Sequence, residues 1–298
     1  MINCICVEHM TKSFDSFQLE DIHFSMKPGY VLGLIGRNGA GKTTLLNTII
    51  GLWAPEKGRI LIGDYDRAEE PVPSKEIIAF VTDECILPKG MTPNTAGKLF
   101  RSMYTGFHYE HYKRLCRRFS LPMHKTVKRM SKGMVIKLQI ALAFSREAKL
   151  YVFDEPSAGL DPVFRKEFID IIFDLIQDQT KSVIFSTHLT DELDRIADNI
   201  LFLEGGKQLL FEQKEELISR YRLLRGPRDR IEEFHEYILG RRFTENSCEA
   251  LVTTTGCSSA VEGNPLPGTS QGELQISIPT IEDIMYYLLK GKRDKYAV

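Results

Sequence analysis

The sequence predicts an α/β protein whose largely parallel sheet carries its chemistry at the strand ends. Three observations point that way. Apolar runs of buried-strand type recur at residues 30–35, 77–81, 150–153 and 182–186. Stretches with apolar residues at helical spacing stand among them, at 44–50, 135–146 and 163–177. Polar or glycine-rich groups follow each apolar run directly: Gly36, Asp83, Asp154 with Glu155, and His188. In an open parallel sheet the carboxyl ends of the strands face the ligand crevice.

The first of these strand ends is the most specific. Gly36-Arg37-Asn38-Gly39-Ala40-Gly41-Lys42-Thr43 fits G-x-x-x-x-G-K-[ST], between an apolar strand and the helical run that starts at Thr44. Glycines let the backbone curl until several N–H groups point at one anion. The helix N-terminus adds free donors and a positive dipole end. Lys42 would reach the β- and γ-phosphates of a nucleoside triphosphate, and the Thr43 hydroxyl would hold Mg²⁺.

Composition narrows the class. The 298 residues allow one large domain or two smaller ones, and 43% apolar with 27% charged residues is ordinary for a globular chain. A net charge of −1 argues against nucleic acid as a main partner. No apolar stretch is long enough to cross a membrane, and Met1–Glu8 lacks the pattern of a signal peptide. The six cysteines form no CxxC pair, which predicts plain thiols in a reducing cytoplasm.

Taken in order, residues 2–10 and 17–26 read as two strands, with Thr11-Lys12-Ser13-Phe14 between them. Phe14 is either a base-stacking ring or a core residue. Trp53, the only tryptophan, reads as a packing residue before the turn at 54–58 and the strand at 59–63. Residues 85–130 are polar, basic and helical in pattern, either a solvated face or a docking surface for another subunit. Ser131 is a natural N-cap for the helix that follows, in Met130-Ser131-Lys132-Gly133-Met134. Asp154, at the end of its strand, would coordinate Mg²⁺, and Glu155 would polarise an attacking water. The turn 156–162 leads into the next helix, and His188 is placed to contact the γ-phosphate. A hairpin turns at Gly205-Gly206. Beyond it come a helix at 213–220, mixed strands to 252, a Thr/Gly/Ser/Pro-rich loop at 253–271 and an amphipathic helix starting near Thr280.

These signals, in this order, resemble the ATP-binding cassette (ABC) ATPases over residues 1–220. Five motifs fall in register: Walker A at 36–43, Walker B at 150–154, the catalytic glutamate and D-loop at Glu155 and 157–161, the switch histidine at His188, and the stacking aromatic at Phe14. The resemblance implies a P-loop cassette with a RecA-like core sheet, an antiparallel β subdomain, a helical subdomain at about 85–147 and a small α+β extension at 221–298. It implies ATP and Mg²⁺ as cofactors. Catalytic roles fall to Glu155, His188 and Lys42. Nucleotide contacts fall to Phe14, Gly36, Asn38, Gly39, Ala40, Gly41, Lys42, Thr43, Thr44, Asp161, and Ser131 with Gly133 across a dimer. Metal contacts fall to Thr43, Asp154 and Asp83. Two motifs depart from the family pattern: Met130–Met134 stands for LSGGQ, and Asp83 stands where the family has glutamine.

The family's geometry implies a head-to-tail dimer with a second cassette, identical or different, and separate integral membrane permease subunits. The expected place is the inner face of the cell membrane. A single cassette with a short tail is similar to exporter ATPases of Gram-positive bacteria, including antibiotic and amphipathic-peptide exporters. The competing readings are a soluble ABC protein outside transport and a cassette that binds ATP for regulation with little hydrolysis.

Overall fold

The computed structural model describes residues 3–188, 190–243, 247–254 and 274–294. Most of the loop expected at 253–271 lies outside them. The described chain divides into two compact units, one holding residues up to 188 and 196–211, the other 190–195 and the residues from 212 onward.

The first unit opens with β1 (Ile5–Phe14), β2 (Phe17–Met26), β3 (Val31–Gly36), α1 (Lys42–Ile50), β4 (Lys57–Ile62) and β5 (Tyr65–Asp66). It continues through α2 (Pro71–Glu76), β6 (Ile78–Val81), α3 (Pro93–Met103), α4 (Tyr109–Arg118), α5 (Lys132–Phe144), β7 (Leu150–Asp154), α6 (Pro162–Ile176) and β8 (Ser182–Ser186). Past α7 (Thr190–Ile196), all but the last residue of which belongs to the second unit, come β9 (Asn199–Glu204) and β10 (Lys207–Gln213). Ten strands join in the order β5-β4-β1-β2-β10-β9-β3-β8-β7-β6. The half containing β9, β3, β8, β7 and β6 is parallel. Strands β5, β4, β1 and β2 pair antiparallel.

The residue pattern explains the split. Strands β3, β7 and β8 are buried along their whole length. A strand covered on both faces is a continuous Val, Leu, Ile or Phe run. Strand β2 shows mixed burial instead, as a strand with one solvated face does. Leu32, Leu45, Ile49, Val152 and Ile184 share one core cluster.

Two glycines decide how α1 begins. Gly41 has φ 105°, and a Cβ there would lie 2.6 Å from Leu19 and 2.7 Å from Phe17. A Cβ at Gly36 would lie 2.5 Å from the Leu203 carbonyl oxygen. Only glycine lets the loop pass this close and hand its chain to a helix starting at Lys42.

Parallel register then brings the strand ends together. Asp154 stands opposite Ser186, Leu34 opposite Ser186, and Val81 opposite Phe153. The insertion between β6 and β7 is helical. Thr92 caps α3 with Thr95 in a capping box, and the buried Tyr112 hydroxyl donates to the Pro93 carbonyl at 2.7 Å. Helix α5 starts at Lys132, earlier than the apolar spacing predicts, because the Ser131 hydroxyl accepts from the Met134 N–H at 3.3 Å.

The second unit holds α8 (Lys214–Ser219), β11 (Tyr221–Gly226), α9 (Arg228–Glu232), β12 (Ile238–Phe243), β13 (Cys248–Thr253), β14 (Gln275–Ser277) and α10 (Ile281–Asp294). Its sheet runs β12-β13-β11-β14 over a core that includes Leu224, Ile231, Phe234, Ala250 and Val252. Thr280 and Asp283 exchange hydrogen bonds at the start of α10, as the sequence there suggests. No helix among the described residues is long and apolar enough to cross a membrane.

Candidate functional site

The strand ends of β3, β6, β7 and β8 open on a cleft of about 870 Å³. Its polar floor is the loop after β3. Lys42 is buried at the start of α1, and its ammonium donates to the carbonyls of Gly36 (2.7 Å) and Arg37 (3.5 Å). Asn38, Gly39, Gly41, Thr43 and Thr44 line the same floor. Gly36 and Ala40 are buried and shape the loop from behind.

Across from Lys42 stand two carboxylates. Asp154 is 2% exposed and accepts from the Ser186 hydroxyl at 2.6 Å. Burial pushes its carboxyl above the usual carboxylate range, while hydrogen bonds from Ser186 and Thr43 pull it back. The Thr43 hydroxyl and the Asp154 carboxylate form a hard-oxygen pair of the kind Mg²⁺ takes.

Glu155 follows β7 with φ 48°, a left-handed conformation that costs a residue with a Cβ about 1–2 kcal/mol. The Glu155 N–H donates to the Ser186 carbonyl at 3.1 Å and to its hydroxyl at 3.0 Å, which helps hold this turn. Glu155 Oε1 lies 3.6 Å from Lys42 Nζ, and Oε2 lies 2.6 Å from His188 Nδ1. The His188 N–H reaches the same oxygen at 3.3 Å. Lys42, Asp154, Glu155 and His188 thus form one connected group from two strand ends and a helix start.

The other wall is apolar. Phe14 closes β1 and is 40% exposed, and Trp53 is 37% exposed. Their rings meet edge to face at 4.9 Å, with Phe17 also lining the cleft. Trp53 is therefore a cleft residue as well as the packing residue the sequence suggests. A flat polar-edged ring system fits such a wall.

The family model described as "ABC transporter" matches residues 19–158. A second, described as "AAA domain, putative AbiEii toxin, Type IV TA system", matches residues 125–194. The chain is 31% identical to the ABC transporter ATP-binding protein NatA of Bacillus subtilis, over 63% of this chain and 79% of that one. The chain belongs to the ABC transporter ATP-binding family. It is 28% identical to the linearmycin resistance ATP-binding protein LnrL of Bacillus subtilis, over 68% of this chain and 66% of the other. It is 27% identical to the carnitine transport ATP-binding protein OpuCA of Listeria monocytogenes, over 93% of this chain and 69% of the other. Among solved structures, an ATP-binding subunit of an ABC transporter superposes with a TM-score of 0.65 at 28% identity, over 72% of this chain and 91% of that one.

An ABC protein of this family binds and hydrolyses ATP, and the α/β cassette fold matches its structural relatives. Within this one chain the family's motifs do not all reach the cleft. Ser131 caps α5, and a Cβ on Gly133 would lie 3.0 Å from the Gly159 carbonyl oxygen. Asp161 caps α6 through the Phe164 N–H at 2.9 Å and pairs with Lys137 at 3.3 Å. Ala158, in the turn before α6, does line the cleft.

The two departures from the family pattern touch each other. Asp83 Oδ1 and Lys132 Nζ are 2.7 Å apart on the cleft wall. Gln139 of α5 donates to the Thr82 carbonyl at 3.2 Å, tying the same helix to the exit of β6. Ser186 is a site residue that no sequence motif singles out; its hydroxyl accepts from the Glu155 N–H and donates to Asp154. The sequence does carry a signal for it, a hydroxyl at a buried strand end just before His188.

Proposed function

We propose that this chain is the ATP-hydrolysing subunit of an ABC exporter, acting as a dimer on separate membrane permease subunits. The observation that carries the hydrolytic part is the Lys42–Glu155–His188 group beside buried Asp154. Lys42 neutralises the β- and γ-phosphates, and Phe14 with Trp53 takes the base. Thr43 and Asp154 would hold Mg²⁺, which when bound would supply positive charge against the phosphate oxygens. Glu155 accepts a proton from the water that attacks that phosphorus. The products are ADP and inorganic phosphate. His188, hydrogen-bonded to Glu155, fixes the carboxylate's direction and reaches toward the γ-phosphate.

One chain leaves the triphosphate open on the side away from its own loop. Ser131 and Gly133 lie at an exposed helix start with free N–H groups, suited to close over a nucleotide held by a second cassette. Asp161 flanks that contact. This supports the head-to-tail dimer implied by the family resemblance.

Permease docking is supported by a groove of about 230 Å³ between the exit of β6 and helices α3 and α5. Its rim carries Ile86, Leu99 and Met103, all large, apolar and exposed. The occupant is an apolar cytoplasmic segment of a permease subunit. Phe80 and Ile86 of the groove flank Asp83 in the chain, a route by which movement of the docked segment would reach the cleft. Likeness to LnrL supports export; likeness to OpuCA keeps transport itself as the shared ground.

The test is purification of the tagged chain from its native membrane, with identification of what accompanies it. A permease subunit that is retained by the wild type and lost from Leu99→Glu/Met103→Glu supports the reading. A variant that keeps the permease, or a wild type that carries none, overturns the docking assignment. Vesicles bearing the retained pair then report the direction of transport.

A further inference from the structure

The β1–β2 ladder slips register twice. Between the pairs Val7–Phe24 and Met10–Ile22, β1 sets Glu8 and His9 against the single residue His23. Between Met10–Ile22 and Lys12–Leu19, β2 sets Glu20 and Asp21 against Thr11. Each strand therefore carries one bulge. Each bulge holds a non-glycine residue in the left-handed region, His9 at φ 47° and Asp21 at φ 54°. A bulge re-aims a side chain that regular alternation would send elsewhere. Here His9, Asp21 and His23 gather on one exposed face.

The hydrogen bonds fix the chemistry of the two rings. His23 Nδ1 lies 3.1 Å from the Asp21 carbonyl oxygen. A carbonyl only accepts, so Nδ1 carries the proton and neutral His23 keeps its lone pair on Nε2. His9 Nδ1 lies 2.6 Å from Asp21 Oδ1. An ionised carboxylate also only accepts, so neutral His9 has its lone pair on Nε2 as well. One residue thus holds both imidazoles in the same tautomer, through its carboxylate and through its backbone. This is the arrangement found around metal-ligating histidines, where the second nitrogen donates to a carboxylate or a carbonyl.

The spacing agrees. The ring centroids are 5.4 Å apart. One ligand atom from each of the three residues lies within 4.8 Å of the others. Both histidines are exposed, so their rings have room to bring the two Nε2 atoms to the zinc–nitrogen bond length of about 2.0–2.1 Å. The Gln208 side chain accepts from the His23 N–H at 3.0 Å and anchors that strand.

We propose that His9 and His23 bind a divalent transition-metal ion through Nε2, with Asp21 orienting both rings and supplying a negative charge beside the ion. Imidazole nitrogens select Zn²⁺, Cu²⁺, Ni²⁺ or Co²⁺ over Mg²⁺ and Ca²⁺. The site is therefore separate in chemistry from the Thr43–Asp154 pair, and it does not rest on the transport reading. Waters complete the coordination of an ion held this near the surface.

The experiment is titration of the full chain with Zn²⁺, without nucleotide and after cysteine alkylation, read by competition with a chromogenic chelator. His9→Gln/His23→Gln is expected to weaken one-ion binding by at least about tenfold, and Asp21→Asn by a smaller factor. In the unaltered chain, Zn²⁺ is expected to protect His9 and His23 from diethyl pyrocarbonate, read by peptide mass. That second measurement needs no folded variant. Zn²⁺ affinity unchanged in the double variant, unprotected His9 and His23, or no binding in the alkylated wild type would each overturn the proposal.

Discussion

Glu155→Gln is the sharpest test of the proposed hydrolysis. The substitution keeps side-chain length and the left-handed backbone, because Gln carries the same Cβ as Glu at φ 48°. An amide oxygen can still accept from His188, in place of the Oε2 that lies 2.6 Å from the ring in the wild type. What is lost is the ability to take a proton. General-base assistance contributes about 10²–10⁴-fold, so kcat should fall by that factor, about 3–5 kcal/mol of barrier. The charge opposite Lys42, 3.6 Å from Oε1, is also removed, which leaves the ammonium free for phosphate. Affinity for Mg-ATP should hold or tighten. The expected signature is therefore a fall in kcat with no rise in the nucleotide dissociation constant. Phosphate release at saturating Mg-ATP measures the first quantity. Trp53 fluorescence measures the second, since the only tryptophan lines the cleft. Light scattering should show an ATP-bound dimer accumulating. A kcat within about fivefold of the wild type refutes the base assignment, on the lower limit of that contribution. Loss of binding instead assigns Glu155 to the ground state.

Two further outcomes follow from the same cleft. Burial raises the Asp154 carboxyl above its ordinary 3.8, so the fold disfavours its charged form. Stability from this group is present below 3.8 and is lost as pH rises through the raised folded value. Without nucleotide, Asp154→Asn should thus melt higher than the wild type at pH 7, by about 2–4 °C per kcal/mol, with the gap closing toward pH 4. Calorimetry showing the variant less stable at pH 7 contradicts this. The Asp83–Lys132 pair is 2.7 Å long with both side chains about half exposed, which limits it to about 0.2–1 kcal/mol. Asp83→Gln, Lys132→Met and the double variant should show coupling of that size in the KM for ATP, fading in 1 M salt. Asp83→Gln should also alter the Mg²⁺ dependence of turnover. Strict additivity at low salt with an unchanged Mg²⁺ profile removes the pair from the mechanism.

Much of the site is legible in the sequence, for a local reason. The loop at 36–43 needs glycine where its backbone turns left-handed and where a Cβ would strike Leu19, Phe17 or Leu203. The strand before it is a buried apolar run, and the helix after it carries apolar residues at helical spacing. Asp154, Glu155 and His188 follow buried runs, and parallel pairing aligns the ends of such runs. The cap at Ser131 is legible, but the helix start is not, since apolar spacing is silent about the first turn. Trp53 reads as packing alone because a single aromatic in a turn carries no periodic signal.

That a nucleoside triphosphate meets this chain follows from local patterns alone, because each phosphate-facing group lies within a few residues of a pattern that dictates its own backbone. Which distant groups touch depends instead on how the folded segments pair. Ser186 bridges Asp154 and Glu155 because β7 and β8 pair in one register. Lys132 meets Asp83 because α5 is tied back to the exit of β6. His9 joins Asp21 and His23 because two bulges shift a ladder whose alternation would have parted them. In each case the contact depends on how two segments align, and in the two strand pairs a one-residue slip would turn the side chain to the opposite face.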